Sequence, residues 1–530
     1  MLAAAYATAE ERYKASNPLS LSAHARARPH LPGGNTRSVL HWKPYPLCIA
    51  RADGFRVVDV DGHAYVDLLG EYSAGVYGHS HPVLRDEVNR VLDNGWGYGG
   101  VSEAEERLGR LLAGRFGWDN GKDGDNKGGG WKVRFTNSGT EANLLAIAAA
   151  KAFTGKYSGK VLVFEGGYHG GVLVFPAGCR GVWMRDDDTE GEGKEEAEGR
   201  GKGKFEALRA LNAPHGFLIA TYNDVESVDA AIASSRKKKK KTGGKEEEEE
   251  GEEEEQGIAA ILLEPMLGSG GGVCATSSFL AHLRRRATEI GALLIFDEVM
   301  TSRMHSGGGL QNAPEMLQGA RIKPDITTLG KYIGGGFSFG AFGGRADVMS
   351  VFDPTREESE EDEDGRGGGG LGGLPLPHAG TFNNNVFSMN VGARGLEDVF
   401  TREKALELHA FGDEVRARLN GLGERENSGD SGRGRGRGRK LRVLGCGSIL
   451  VIHFTAAEIK DISSPADWKR DEDQRLLDLF HLEMLHEGFY LARRGYIALN
   501  IVLLEEEGRK EMDRFVSAVE GFLNRFGGLL

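Results

Sequence analysis

The chain has little of what a secreted, disulfide-held or membrane-spanning protein is built from. Its 530 residues hold four cysteines, Cys48, Cys179, Cys274 and Cys446, far apart and in no CxxC pair. That spacing argues against a disulfide scaffold or a cysteine metal framework and fits the reduced thiols of a cytosolic protein. No apolar run approaches the roughly 20 residues that span a bilayer. The start, Met1 to Glu11, has alanines but no basic stretch, and acids stand at Glu10 and Glu11, so no secretory or organelle-directing leader is expected. Positive charge is short as well. A net charge of −12 argues against general nucleic-acid binding. The expectation is a cytoplasmic protein with no membrane, nucleic-acid or metal partner.

Glycine, in contrast, is abundant. Eighty glycines are about double the usual share of roughly 7%. Many fall in five low-complexity blocks: Gly121 to Gly130, Asp186 to Lys204, Arg236 to Gln256, Glu357 to Gly373 and Asn427 to Lys440. The lysines from Lys237 to Lys241 followed by glutamates from Glu246 cannot pack a core, because like-charge runs stay solvated. The five blocks read as unstructured surface insertions, tolerated because loop entropy grows slowly with length. Without them the chain still has the size for a large core and two or more domains.

Short apolar runs alternate with helical periods through the rest. Residues before about Leu68 read as an arm, with a turn at Pro32 to Arg37 and strand-like Pro46 to Ile49, Phe55 to Val60 and Tyr65 to Leu68. A helix is predicted over Val83 to Leu92, with Leu84, Val88, Val91 and Leu92 on one face, and another over Glu103 to Phe116. From Trp131 strand and helix alternate, as a doubly wound sheet requires. Strands are predicted at Val133 to Phe135, Val161 to Phe164, Ala259 to Leu263 and within Ile290 to Val299, with an alanine-rich helix ending at Phe153. Beyond Val391 the expectation is Leu396 to Leu419 (helix), Val443 to Phe454 (strand), then Asp473 to His486 and Glu511 to Phe526 (helices). The fold class is α/β: a large, mostly parallel domain over 71–390, and a smaller α+β domain from 391–530 with part of the arm, 1–70.

Two stretches carry the chemistry. Asp325 to Gly336 places Lys331 between an apolar, β-branched run and three glycines. Burial and nearby positive charge lower a lysine's pKa and free its amine for an aldehyde, and glycines admit a bulky planar ligand. Alone, such a lysine also fits a helix cap or a strand-end snorkel. The second stretch, Ala292 to Val299, is a continuous apolar run, read as a parallel strand buried on both faces and ending in Asp297 and Glu298. Ligands of open α/β sheets lie beyond the carboxyl ends of the strands. A lysine for an imine and an acid for a ring nitrogen is the division of labour that pyridoxal phosphate needs.

Phe296-Asp297-Glu298-Val299-Met300-Thr301, together with Thr328-Leu329-Gly330-Lys331 and the trailing glycines, resembles the class III, fold-type I aminotransferases that depend on pyridoxal 5'-phosphate. The resemblance implies that Lys331 forms the Schiff base and that Asp297 partners the pyridinium nitrogen, the two catalytic residues. Ser138-Gly139-Thr140-Glu141 has the capping-box pattern at a helix start, where free N–H groups favour an anion. In the family this motif binds the cofactor phosphate, which implicates Ser138, Gly139 and Thr140. Tyr168 resembles the aromatic that stacks on the cofactor ring, with His169 beside it, and Glu264 matches a family position near the site. Thr381, in the polar loop His378 to Asn385, is implied to reach the phosphate of the other subunit, hence a homodimer with a shared active site. Pro-Gly-Gly-Asn-Thr-Arg, ending at Arg37, and Ala-Arg-Arg-Gly, with Arg493 and Arg494, resemble the carboxylate-binding elements of β-amino-acid (β-phenylalanine-type) aminotransferases. Guanidinium forks suit carboxylates.

The activity so implied moves an amino group from an amino acid, a β-amino acid among the candidates, to a 2-oxo acid in two half-reactions. Glutamate-1-semialdehyde 2,1-aminomutase shares the cofactor motifs and is the alternative. It carries Phe-Glu-Ala where this chain has Tyr496-Ile497-Ala498, and Gly-Phe-Arg where this chain has Ser302-Arg303-Met304. A different class follows from Gly432 to Arg439, whose alternation resembles Arg-Gly segments that bind single-stranded RNA: an inactive fold with an RNA-binding insert. Lys331, Asp297 and the acidic charge stand against it.

Deleting Lys237 to Glu255 is expected to leave the melting temperature and turnover nearly unchanged, because a charge run of this kind buries nothing. A large loss of either in the deletion variant would show that the block packs or gates the site.

Overall fold

The computed structural model describes residues 1–117, 130–171, 173–175, 181–183, 215–235, 257–313, 322–355, 375–425, 439–459, 461–469 and 474–529. The low-complexity blocks at 186–204, 236–256 and 357–373 lie outside these residues, as do 121–129, 427–438 and Cys179.

Two helices open the chain, Leu2–Ser16 and Pro18–Ala27, where the sequence reading draws an arm with none. Their apolar stripe is thin: only Ala9 and Tyr13 of the first are buried, so periodicity carries little signal. A long-range pair ties the first helix down, Arg12 Nη2 to Glu483 Oε1 at 2.6 Å. Strands β1 (Ile49–Asp53), β2 (Arg56–Asp59) and β3 (Ala64–Asp67) form an antiparallel meander, and β3 pairs in parallel with Phe489–Tyr490. The arm therefore shares a sheet with the far end of the chain.

The large sheet is built from β4 (Trp131–Thr136), β5 (Lys160–Phe164), β6 (Gly181–Trp183), β7 (Phe217–Ala220), β8 (Ile258–Leu263), β11 (Leu293–Asp297), β12 (Ile326–Gly330) and β13 (Gly340–Arg345). A small hairpin, β9 (Met266–Leu267) and β10 (Val273–Cys274), follows β8. The eight strands lie in the order β4-β13-β12-β11-β8-β5-β7-β6. From β12 through β11, β8 and β5 to β7 every neighbour is parallel, while β13 and β6 run against theirs. All residues of β5, β7, β8, β11 and β12 are buried, as strands covered by helices on both faces require. Val161 and Val163 of β5 enter one core and Leu162 and Phe164 the other, the period-two alternation of a strand between two layers.

Most predicted elements fall within a few residues of the observed ones, and the helix Glu103–Phe116 coincides with its expected range. Four differences have physical reasons. Strand β13 escapes the sequence reading because Gly-Ala-Phe-Gly-Gly-Arg has no β-branched residue. Its glycines answer close backbone contact: a Cβ at Gly340 or Gly344 would stand 2.1 Å from Ser138 O or Asp325 O. The single strand expected over Val443 to Phe454 is a hairpin, β14 (Arg439–Cys446) and β15 (Ile449–Ala456), turned by Gly447 at φ 50°. The helix expected from Leu396 starts at Arg402, after a turn over Gly395–Val399. In Pro82–Asn94, Leu84 and Val91 are buried and Val88 half-buried, but Leu92 sits at the edge of the stripe and is exposed. No helix among the described residues is long and apolar enough to cross a membrane.

The strand that delivers Lys331 is clamped at its entrance. Buried Asp325 accepts from Leu294 N at 2.8 Å, Arg284 Nη1 at 2.7 Å and Arg345 Nη1 at 2.8 Å, which joins β11, β12 and β13. Asp325→Ala is expected to cost roughly 2–3 kcal/mol in a denaturant titration. That is less than the 3–5 of a fully buried pair, because both guanidiniums retain access to water. An unchanged midpoint would show that the clamp holds nothing.

Candidate active site

Strand β12 ends at Gly330, and Lys331 turns the chain with φ 58°, a left-handed conformation that costs a non-glycine residue about 1–3 kcal/mol. A second left-handed segment faces it: Gly70, Glu71, Tyr72 and Ser73 have φ of 50°, 46°, 52° and 80°. The two meet at the lysine amine, which donates to Tyr72 O at 2.8 Å and Ser73 Oγ at 3.0 Å. Beneath them the fully buried guanidinium of Arg303 donates to Ser448 Oγ at 3.0 Å, Ser73 O at 3.2 Å and Leu499 O. Lys331 keeps some accessible surface toward a cavity and is enclosed by protein elsewhere. Burial pushes its pKa down to about 8; Arg494 and Arg303 act in the same direction, against the carboxylates of Asp297 and Glu264. Burial likewise pushes Arg303 down to about 10.

Asp297 ends β11, one strand over. Its Oδ2 accepts from Asn143 Nδ2 and His169 Nδ1, both at 2.8 Å, and its Oδ1 from Val299 N at 3.0 Å. A carboxylate only accepts here, so His169 carries its proton on Nδ1. Asn143 is fixed in turn by Thr328 Oγ1 at 2.7 Å, and its amide also donates to His169 O at 3.0 Å. Three donors thus aim one carboxylate. Glu264, at the end of β8, accepts from Tyr168 N at 2.9 Å and Gly268 N at 3.1 Å. Burial pushes its pKa up to about 7, with Asp297 adding to the rise and His169 and the two N–H groups opposing it. Glu298 also rises to about 7 through burial, and it holds the following loop by accepting from Leu310 N at 3.1 Å and Gln311 N at 2.7 Å.

The helix Gly139–Thr154 opens at the same end of the sheet. Ser138 Oγ accepts from Glu141 N at 3.2 Å, but the Glu141 carboxylate takes the N–H of Asn137, at 2.9 Å, instead of Ser138's own as the sequence pattern implies. First-turn N–H groups have no partner within their helix, which suits an anion. The backbone here leaves no room for side chains: a Cβ on Gly139 would stand 2.8 Å from both Val299 methyl carbons. One on Gly170, at φ 106°, would stand 2.2 Å from Thr140 Oγ1. This cradle, with a lysine amine and a fixed carboxylate further in, fits a phosphorylated pyridine aldehyde.

These groups share one cavity of about 1260 Å³, which Ser138, Gly139, Thr140, Tyr168, Asp297 and Lys331 help to line. Tyr168 stands on its rim, 44% exposed. His169 is buried behind Asp297 and acts through that carboxylate. At the other end Arg37 and Arg494 lie over the Tyr72 ring, 5.5 and 5.6 Å from its centroid. Arg37 approaches Glu71 at 3.5 Å. Arg494 Nη1 donates to Ser269 Oγ at 3.4 Å, while its buried Nε has no protein partner. Two expected residues are not brought in. Arg493, on the turn before the strand Tyr496–Ala498, does not line the cavity and pairs with Asp478 at 3.4 Å. Thr381 is exposed and off the cavity of its own chain, although its loop is tied to the helix start by Asn137 Nδ2 to Asn383 Oδ1 at 2.8 Å.

Sequence reasoning missed Asn143, Arg303 and the Tyr72–Ser73 acceptors. A lone asparagine in an alanine-rich helix is a signal that the first was findable. Arg303 and the left-handed turn act through groups distant in the chain, Ser448 Oγ and Leu499 O among them, which no local pattern marks. No group of metal-ligating side chains occurs among the described residues.

Residues 39–182 and 208–439 match the family described as Aminotransferase class-III. The sequence is 39% identical over 526 residues to the β-phenylalanine transaminase of Variovorax paradoxus, covering 99% of this chain and 97% of that one. The crystal structure of that bacterium's β-phenylalanine aminotransferase superposes with a TM-score of 0.77, covering 100% of this chain and 99% of that one. An ω-transaminase of Sphaerobacter thermophilus is 28% identical with a TM-score of 0.71, covering 95% of this chain and 97% of that one. A glutamate-1-semialdehyde aminomutase of Pseudomonas aeruginosa, 18% identical with a TM-score of 0.72 over 99% and 98% of the two chains, shares the fold.

Cofactor-free protein is expected to take up an aldehyde at Lys331, trapped by borohydride, at a rate that rises with pH and is half-maximal near pH 8. The lowered pKa makes the neutral amine appear as pH climbs through that value. An ordinary lysine would give a half-point near 10.4. Lys331→Ala should abolish trapping, and label on any other lysine would overturn the assignment.

Proposed function

The chain belongs to the class III aminotransferases, pyridoxal-phosphate enzymes of fold type I, and on that premise we propose that its amino donor is a β-amino acid and its acceptor a 2-oxo acid. Pyridoxal phosphate supplies, when bound, an aldehyde for amines and a ring that withdraws electrons from the amine-bearing carbon. Ser138, Gly139 and Thr140 would hold its phosphate, Asp297 its ring nitrogen, Tyr168 its face and Lys331 its aldehyde carbon. With its amine free, Lys331 Nζ would take the proton from the donor's amine-bearing carbon. Its pKa near 8 leaves a useful share of neutral amine close to neutral pH. Tyr72 O and Ser73 Oγ fix where that amine stands, and His169 and Asn143 keep the Asp297 carboxylate aimed.

The observation that carries the donor class is Arg494. It lies on the cavity wall with Lys331, bonded only weakly to Ser269, its buried Nε unpartnered and no ion pair recorded for it among the described residues. A guanidinium left so poorly matched calls for a ligand carboxylate. Arg37, on the other side of the Tyr72 ring and lining the same cavity, provides a second cation for the acid group of the donor. The near full-length identity to a β-phenylalanine transaminase supports the same reading. The mutase alternative finds less support: Ile497, where its motif has glutamate, is wholly buried in the core.

We also infer a homodimer, with Thr381 reaching the partner's phosphate site. Trp96, Tyr98, Val101 and Phe382 are 62%, 53%, 91% and 66% exposed, and Phe337 stacks on Phe387 beside Trp96. Isolated exposed aromatics are ordinary; a group of them beside a candidate active site marks an interface. The described cysteines, all free thiols, support a cytoplasmic setting.

With α- and β-amino acids compared side by side, the half-reaction should run with the β-amino acid. Arg494→Met should raise its apparent KM by up to about a hundredfold and Arg37→Ala by about tenfold. One buried charge-assisted hydrogen bond is worth roughly 1.5–3 kcal/mol, and half-exposed Arg37 falls at the low end. Turnover of glutamate-1-semialdehyde with no β-amino acid accepted would instead establish the mutase. Trp96→Glu should sediment as a monomer and lose turnover; a fully active monomer would remove the partner from the site.

A further inference from the structure

Behind the cavity wall, where the β9–β10 hairpin meets β14, two cysteines come together. Cys274 ends β10 and lies opposite Met266 in the antiparallel pair, and Cys446, at the end of β14, has its Sγ 3.8 Å from the same methionine sulfur. The two backbones run so close that a Cβ on Gly272 would stand 3.2 Å from Gly445 N. Both cysteines pack against the same buried cluster, which contains Met266. They are 172 positions apart in the chain, 446 minus 274, so only the packing of the hairpin on β14 joins them.

We propose that Cys274 and Cys446 form a reversible redox pair, closing to an intramolecular disulfide when a low-molecular-weight disulfide such as glutathione disulfide is in excess. Both residues keep part of their surface exposed. The roles of the two sulfurs differ. The neighbouring Cys446 thiol and the positive charge of Arg416 hold the Cys274 thiol below the usual range, whereas Cys274 and burial push Cys446 up. Cys274 is therefore the attacking thiolate. Its sulfur bonds to one sulfur of the oxidant and expels one thiolate, which takes up a proton. Cys446 then loses its proton and attacks the Cys274 sulfur of the mixed disulfide, expelling the second small thiol. Two protein thiols are oxidised by two electrons and one disulfide is reduced to two thiols, with no other reactant. The product staples β14 to the hairpin whose connecting loop carries Gly268 and Ser269, the latter bonded to Arg494 on the cavity wall.

The test uses the holoenzyme equilibrated with glutathione disulfide and then alkylated. Two of the four thiols should disappear, a non-reducing digest should yield one linked peptide pair containing Cys274 and Cys446, and dithiothreitol should restore both. Cys48→Ser should keep the link. Cys446→Ser should accumulate glutathione on Cys274, while Cys274→Ser leaves Cys446 far slower to react. A wild type that stays reduced, that carries stable mixed disulfides, or that links through Cys48 or Cys179 would overturn the proposal.

Discussion

A single hydrogen-bonded contact holds this site together: the Lys331 amine against the carbonyl of Tyr72 and the hydroxyl of Ser73. Both partners sit on backbone that L-residues resist, one left-handed residue on the lysine side and a four-residue left-handed turn opposite. Strain of this kind persists only where surroundings over-determine it. Here Arg303 does so from below, donating to Ser73 O, Ser448 Oγ and Leu499 O at once, and so joining the arm, the β14–β15 turn and the C-terminal segment under the lysine. A buried guanidinium without a carboxylate also depresses the lysine's pKa. The structure thus positions the amine and keeps it reactive with the same residue.

The electrostatics on the other side follow from burial. Three acids lie at the sheet's carboxyl end, Asp297, Glu264 and Glu298, and they are not equivalent. Asp297 has three donors aimed at it, the Nδ1 of His169 among them, while burial lifts Glu264 and Glu298 toward neutrality near pH 7. Asp325 anchors the strand entrance between two arginines. Asp297 and Glu264 both line the cavity, and the three donors that hold Asp297 suit it to a ligand's ring nitrogen.

Much of this was legible in the chain. Lys331 and Asp297 each close an apolar run with a residue that such a run has no structural use for, and the Ser138 helix start carries its own capping pattern. The strands β5, β8 and β11 announce themselves by unbroken hydrophobicity, because both their faces are covered. Strand β13 was silent: its glycines are selected by what lies against them and not by intrinsic preference. Arg493 and Arg494 are chemically alike and adjacent, so no pattern distinguishes the one on the cavity from the one paired with Asp478.

The α/β class and the parallel core were legible in the sequence because each depends on local pattern, period or burial run, whereas Lys331, Asp297 and the Ser138 helix start stood out as candidates through their resemblance to a family's motifs. Tertiary structure alone decided which arginine faces the ligand, that Asn143 and His169 aim Asp297, that a left-handed turn from the arm receives the lysine, and that Cys274 meets Cys446. All of these are contacts between residues far apart in the chain, many through backbone atoms that every residue possesses. Such contacts leave no trace in composition or spacing, because the chain closes them only when the sheet, the arm and the C-terminal strands pack.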